Sequence, residues 1–71
     1  MEMKIPTSVS KRWFGEVCKQ VPTGTSVRID RHWNFSEICT SDSYDLVATF
    51  RAEKHAVEFC QLNSLKLSEI K

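Results

Sequence analysis

With 71 residues the chain has room for one small domain and no second core. A 41% hydrophobic composition with two Trp, one Tyr and four Phe excludes a disordered tail, and ten Lys+Arg against nine Asp+Glu, a formal net charge of +1, exclude both an acidic nucleic-acid mimic and binding through a strong global positive field. No apolar run reaches membrane-span length, residues 1–6 lack the apolar centre of a secretion signal, and three cysteines without a close pair suit free thiols in a reducing compartment, so a cytoplasmic protein with no membrane contact is expected.

Met1, Met3 and Ile5 alternate with Glu2 and Lys4 before Pro6, which predicts a short first strand. Ser8 or Ser10 then offers an N-cap. Val9, Trp13, Val17 and Val21 recur every four residues with Phe14 and Cys18 beside them, the apolar face of a helix closed by Pro22. Gly15 falls inside that helix, where it costs about 1 kcal/mol. After the turn Thr23-Gly24-Thr25, the stretch Thr25–Trp33 reads as a strand with Val27, Ile29 and Trp33 on one face and Ser26, Arg28, Asp30 and His32 on the other. Residues 34–42 fit either one helical turn opened by an Asn34-x-x-Glu37 capping box, or an extension of a hairpin through Phe35–Thr40 that turns at Ser41-Asp42-Ser43; the hairpin is favoured.

From Ser43 to Leu62 the pattern is the clearest in the chain. Tyr44, Leu46, Ala48 and Phe50 share one strand face, and Asp45, Val47 and Thr49 the other. The period then lengthens: Ala52, Ala56, Phe59 and Cys60 mark a helical face with Val57 at its border, and Asn63 is the expected left-handed terminator. Leu65 and Leu67 alternate with Lys66 and Ser68 in a last strand that loses phase at Ile70. The order β-α-β-β-α-β predicts one small α+β domain over residues 1–71, a two-layer ferredoxin-like sandwich with two helices on one face of an antiparallel sheet. Its uncovered face would carry Arg28, Asp30, His32, Asp45 and Thr49. The alternative is an α-β-β-α core with frayed ends. The triplets Glu16-Val17-Cys18, Glu37-Ile38-Cys39 and Glu58-Phe59-Cys60 recur at 21-residue spacing. Three units so short would bury no core as stacked repeats, so the echo reads as coincidence.

The passage DLVATFRAEKHAVEFCQLNSLKL, from Asp45 to Leu67, resembles the third strand, second helix and fourth strand of the RNA-recognition motif and of other ferredoxin-like domains. The shared features are an apolar strand ending in Phe, an Ala-rich helix face and a short closing strand. The resemblance covers about a third of the chain and implies the fold. In RNA-binding members the third strand carries exposed aromatics on which bases stack. Aligning Phe50 with the last of them puts Asp45 and Val47 at those positions, an acid that repels phosphate and a side chain that cannot stack.

Structural zinc sites draw ligands from close sequence pairs, whereas Cys18, Cys39 and Cys60 stand far apart and read as small buried hydrophobes. His55 precedes Cys60 by five positions, which places them on different sides of the predicted helix, and no Gly-rich phosphate loop, HExxH or GxSxG occurs. No catalytic, metal or cofactor site is therefore expected. Lys11 and Arg12 fall in the first turn of the predicted helix, against its dipole, with Ser8 and Ser10 beside them, an arrangement suited to an anion. Arg28 and Arg31 are candidates to join them. Trp13 belongs to the helix stripe, while Trp33, between His32 and Asn34 and followed by Phe35, is the better interface residue. The expected surface comprises Lys11, Arg12, Arg28, Arg31, His32, Trp33, Asn34 and Phe35, on a non-catalytic module that occludes a protein partner. A phage or mobile-element accessory protein that inhibits host defence machinery has this general character. The alternative is a small nucleic-acid-binding domain using the same basic and aromatic residues. An open sheet edge or polar sheet face suits a monomer or a homodimer.

Overall fold

β-branched and apolar residues alternate along short segments, and among the described residues these build one sheet covered by one helix. The computed structural model describes residues 15–71. Its elements are β1 (Gly15–Val17), β2 (Ser26–Arg31), β3 (Ser36–Thr40), β4 (Leu46–Phe50), α1 (Glu53–Leu62) and β5 (Lys66–Ile70). The strand order is β1-β4-β3-β2-β5. β2, β3 and β4 form an antiparallel meander, β1 adds antiparallel to β4, and β5 adds parallel to β2. A parallel neighbour cannot be reached by a tight turn, and α1 is the crossover that carries the chain back over the sheet from β4.

The ferredoxin-like expectation is overturned. The described chain is mostly β, a single mixed sheet of five strands with one helix, and the α-β-β-α alternative fails with it. The error lies in the segment assigned to a first helix. Positions four apart share a face in a strand as well as in a helix, so the recurrence that includes Val17 and Val21 does not separate the two. Gly15–Val17 instead pairs with β4, Gly15 opposite Phe50 and Val17 opposite Ala48, and gives hydrogen-bond partners to a strand that would otherwise be an edge. A Cβ on Gly15 would press on the Phe50 ring and stand 2.7 Å from the Thr49 carbonyl oxygen, so the missing side chain is what lets the strands close. The expected first strand at Met1–Ile5 lies outside the described residues.

The core lies between the sheet and α1. Val27 and Ile29 of β2, Ile38 of β3, Val47, Ala48 and Phe50 of β4, Ala56, Phe59 and Cys60 of α1, and Leu65 form one buried cluster. The Phe50 and Phe59 rings meet at 5.3 Å between centroids, tilted by 47°. Strand alternation predicts most of this set, with one exception. The register shifts between Ile38 and Cys39, so that Ala48 faces Ile38 but Leu46 faces Cys39, and Val47 is left over. Val47 is fully buried in the core and Leu46 is only half-buried, the reverse of the expected alternation. A bulge moves one residue across the pleat, which a period-two reading cannot see.

α1 starts without a side-chain cap, at Ala52 in extended conformation. Its end is better specified. Ser64 takes positive φ (53°), its N–H donates to the Gln61 carbonyl, and the Leu65 N–H reaches back 2.9 Å to that of Cys60. This is a Schellman closure whose Leu65 and Cys60 belong to the same buried cluster, and the left-handed residue is Ser64, one position beyond the expected Asn63. The hairpin reading of residues 34–42 holds for its turn at 41–43, which joins β3 to β4, but a second turn at Trp33-Asn34, absent from that reading, makes β3 a separate strand that pairs with β2 from Val27 opposite Thr40 to Arg31 opposite Ser36. The Glu-apolar-Cys triplets fall at the end of β1, in β3 and in α1, so they are no structural repeat.

Candidate functional site

The sheet has two chemically different faces. Ile29, Ile38 and Ala48 stand side by side across β2, β3 and β4 and point to the helix. The adjacent row, Asp30 opposite Glu37, Glu37 opposite Thr49 and Thr49 opposite Glu16, points the other way across four strands. Three of these four positions are carboxylates, and Lys71, bonded through its backbone to Ile29 and Arg31, stands beside Asp30 at the β5 end of the row. The next row on the same face holds Arg28 between Cys39 and Glu69, and Lys66 lies further along, opposite Ser26. Two of the expected uncovered-face residues, Asp30 and Thr49, are in the acidic row, whereas Glu37 and Glu16 were not foreseen there. Their signal was the β2–β3 and β1–β4 pairing, which sequence alone does not supply.

Arg28 is not a free cation. It is 8% exposed, its Nε and Nη2 donate to Asp30 Oδ1 at 3.1 and 2.8 Å, its Nη1 lies 3.6 Å from Glu69, and its guanidinium stacks over the Tyr44 ring at 4.9 Å. The Asp30 hydrogen bonds, opposed by desolvation, hold that guanidinium still more firmly protonated than usual. Arg31 pairs with Glu53 at 3.3 Å, and its backbone N–H donates to the Lys71 carbonyl. Lys19 pairs with Asp45 at 2.9 Å; that contact, with a Ser43 hydroxyl, draws the Asp45 carboxyl below its usual range.

At the end of this face the β2–β3 hairpin projects. The His32 N–H donates to the Phe35 carbonyl at 2.7 Å, which closes a two-residue tip of Trp33 and Asn34. The His32 ring stacks on Phe35 with centroids 4.5 Å apart and planes within 15°, and its Nε2 meets Glu37 Oε1 at 2.7 Å. Stacking on one side and a hydrogen bond on the other fix the base of the tip. Trp33 is 95% exposed, and Asn34 is also exposed. Among the expected surface residues, therefore, Arg31, His32, Trp33, Asn34 and Phe35 come together at one end of the sheet, and Arg28 lies one row beyond the acidic row, locked in ion pairs. Lys11 and Arg12 lie outside the described residues.

The thiols report the field of the acidic face. The Cys18 thiol donates toward Glu16 Oε1 at 3.7 Å and is held protonated by partial desolvation and then by Glu16 and Glu37. Cys39 is pushed up by burial, then by Glu37 and Asp30, with Arg28 opposing. Cys60, on the buried face of α1, is pushed to about 11 by burial. None of these is an activated nucleophile, which needs an electropositive setting. Among the described residues, no group of three or more His, Cys, Asp and Glu could hold a metal ion, and no helix is long and apolar enough to cross a membrane. No protein-family model, curated protein or solved structure matches this chain.

Proposed function

We propose that the protein is a non-catalytic binding module that anchors on a protein partner through the β2–β3 hairpin tip, with Trp33 as the inserted side chain. The observation that carries this reading is the 95% exposure of Trp33 on a tip whose base is fixed by the His32–Phe35 stack and the His32–Glu37 hydrogen bond. An indole left in water forgoes a large burial gain, and a pre-ordered tip loses little entropy when the indole enters a pocket. The ion pairs weaken the nucleic-acid reading of two expected contacts: Arg28 and Arg31 are already matched by Asp30, Glu69 and Glu53, so those two guanidinium groups have little charge left for phosphates. The partner would be occluded where the tip lands.

Affinity capture from a lysate of the native host, run in parallel with wild type and Trp33→Ala, tests the reading. A partner retained by wild type in moderate salt and weakened about 30-fold or more by Trp33→Ala is the expected result, on the scale of an interface hot spot. Retention of the same partner by both proteins overturns the anchor. Recovery of nucleic acid with steep salt dependence overturns the protein reading.

A further inference from the structure

We infer that the outer edge of β5 pairs with β5 of a second copy of this chain, antiparallel and related by a two-fold axis. β5 is an outermost strand, hydrogen-bonded on its β2 side alone among the described residues. The Lys66 N–H donates to the Thr25 carbonyl at 2.9 Å, and the Lys71 N–H donates to the Ile29 carbonyl at 2.8 Å. The Lys71 carbonyl accepts from the Arg31 N–H at 2.7 Å. The backbone groups of Lys66 and Lys71 thus face β2, and those of their neighbours Leu67 and Ile70, alternating along the strand, face outward. In a regular strand two residues three apart would face opposite ways. The bulge where β5 passes from Val27 to Arg28 takes up one residue and turns both outward.

The side chains follow the same two-fold pattern. Leu67 stands beside Val27 and Ile70 beside Ile29, on the face that α1 covers, whereas Lys66, Glu69 and Lys71 belong to the other face. Leu67 packs on the core, but Ile70 is 39% exposed. From either end, Lys66-Leu67-Ser68-Glu69-Ile70-Lys71 reads cation, apolar, polar, polar, apolar, cation. Antiparallel copies aligned on this pattern set Leu67 opposite Ile70 of the second copy, twice, and each pair exchanges both of its outward hydrogen bonds. Ile70 gains an apolar neighbour on the helix side. On the other face Lys66 meets Lys71 of the second copy, and Glu69 stands within diagonal reach of Lys66 of the second copy, a carboxylate set among the lysines. Edge lysines and bulges discourage indiscriminate pairing, and this register accommodates both. The contact is isologous, so it closes at two copies. Six residues a side fall short of the roughly 20–30 of a standard interface, so the dimer is reversible and concentration-dependent. Because β5 runs parallel to β2, the two Trp33 tips leave the dimer at opposite ends.

Analytical ultracentrifugation and amide hydrogen exchange of the full chain, from micromolar to millimolar concentration, test this. The mass should rise from one copy toward two, and the Leu67 and Ile70 amides should gain protection as it does, while the Lys66 amide, bonded to β2, is protected throughout. Ile70→Pro removes only an outward N–H, which an edge strand tolerates. It should keep the folded spectrum and weaken self-association about tenfold or more, two hydrogen bonds being lost per dimer. Ile70→Lys leaves the backbone intact and should weaken it as well, through the lost apolar contact. A chain that stays monomeric at millimolar concentration overturns the inference, and so does undiminished association of either folded variant. Protection of the Leu67 and Ile70 amides that is indifferent to concentration also overturns it, because the edge would then be covered within one copy. Trp33→Ala should leave self-association unchanged while abolishing partner capture, so this inference and the tip reading fail separately.

Discussion

Gly15 stands directly opposite Phe50 across the β1–β4 pairing, and the space that a side chain at Gly15 would need is the space that the Phe50 ring fills. The ring in turn packs on Phe59 of α1, so an edge strand, a central strand and the helix meet at one contact. A sign follows from this arrangement. Within an exposed helix, Gly15→Ala would stabilise by roughly 1 kcal/mol. In the observed strand it forces the Phe50 ring or the Thr49 carbonyl to move, and overpacking of this kind destabilises by about 1–3 kcal/mol. Urea unfolding of wild type and Gly15→Ala reads the sign directly; a stabilised variant would restore the helix and remove β1.

Arg28 holds Asp30 and Glu69 together and covers Tyr44, so its removal should harm the fold before it harms any interface. Arg28→Gln is expected to lower the melting temperature, and by more than Arg31→Gln, because Arg31 is itself exposed where it pairs with Glu53. Thermal melts at low and high salt check this. Equal melting temperatures for the two variants would return Arg28 to the set of free surface cations.

Cys60 supplies an alkaline transition. Burial pushes its thiol up to about 11, against an ordinary value of 9.0, because ionising it would place a charge in the apolar core between α1 and the sheet. The folded state therefore holds the proton more tightly than the unfolded state does. The stability this confers is complete below pH about 9 and is lost as pH rises toward 11. Denaturant midpoints across that window should fall for wild type. They should fall less steeply for Cys60→Ala, which is itself about 1 kcal/mol or more weaker at neutral pH through lost packing. Parallel slopes would show that another group is responsible.

Cys18, exposed beside Glu16 and under the influence of Glu37, is a reporter of local potential. Positively charged methanethiosulfonate should modify it faster than the negatively charged reagent, by several-fold after correction for the reagents' intrinsic rates. Glu37→Gln should narrow that ratio, and high salt should nearly abolish it, since the field acts through solvent over about one Debye length. A ratio indifferent to Glu37→Gln would mean that the acidic row exerts no field at that edge.

What the sequence determined by itself is local. Alternation in 26–33 and 44–50, the change of period after Phe50, and the turn residues at Ser41-Asp42-Ser43 specify β2, the β3–β4 hairpin and α1, because strand and helix periods are written in neighbouring residues. The isolation of Trp33 at a strand end was legible in the same way. The tertiary structure decided everything that depends on pairing. Whether a four-residue recurrence around Gly15 is helix or strand is settled by whether β4 offers an edge, and which side Val47 faces is settled by a register shift against β3. It also decided that Arg28 is occupied, and that Glu16, Asp30 and Glu37, far apart in the chain, form one row. Charges on separate strands become neighbours only through register, and register is a property of the assembled sheet rather than of any segment within it.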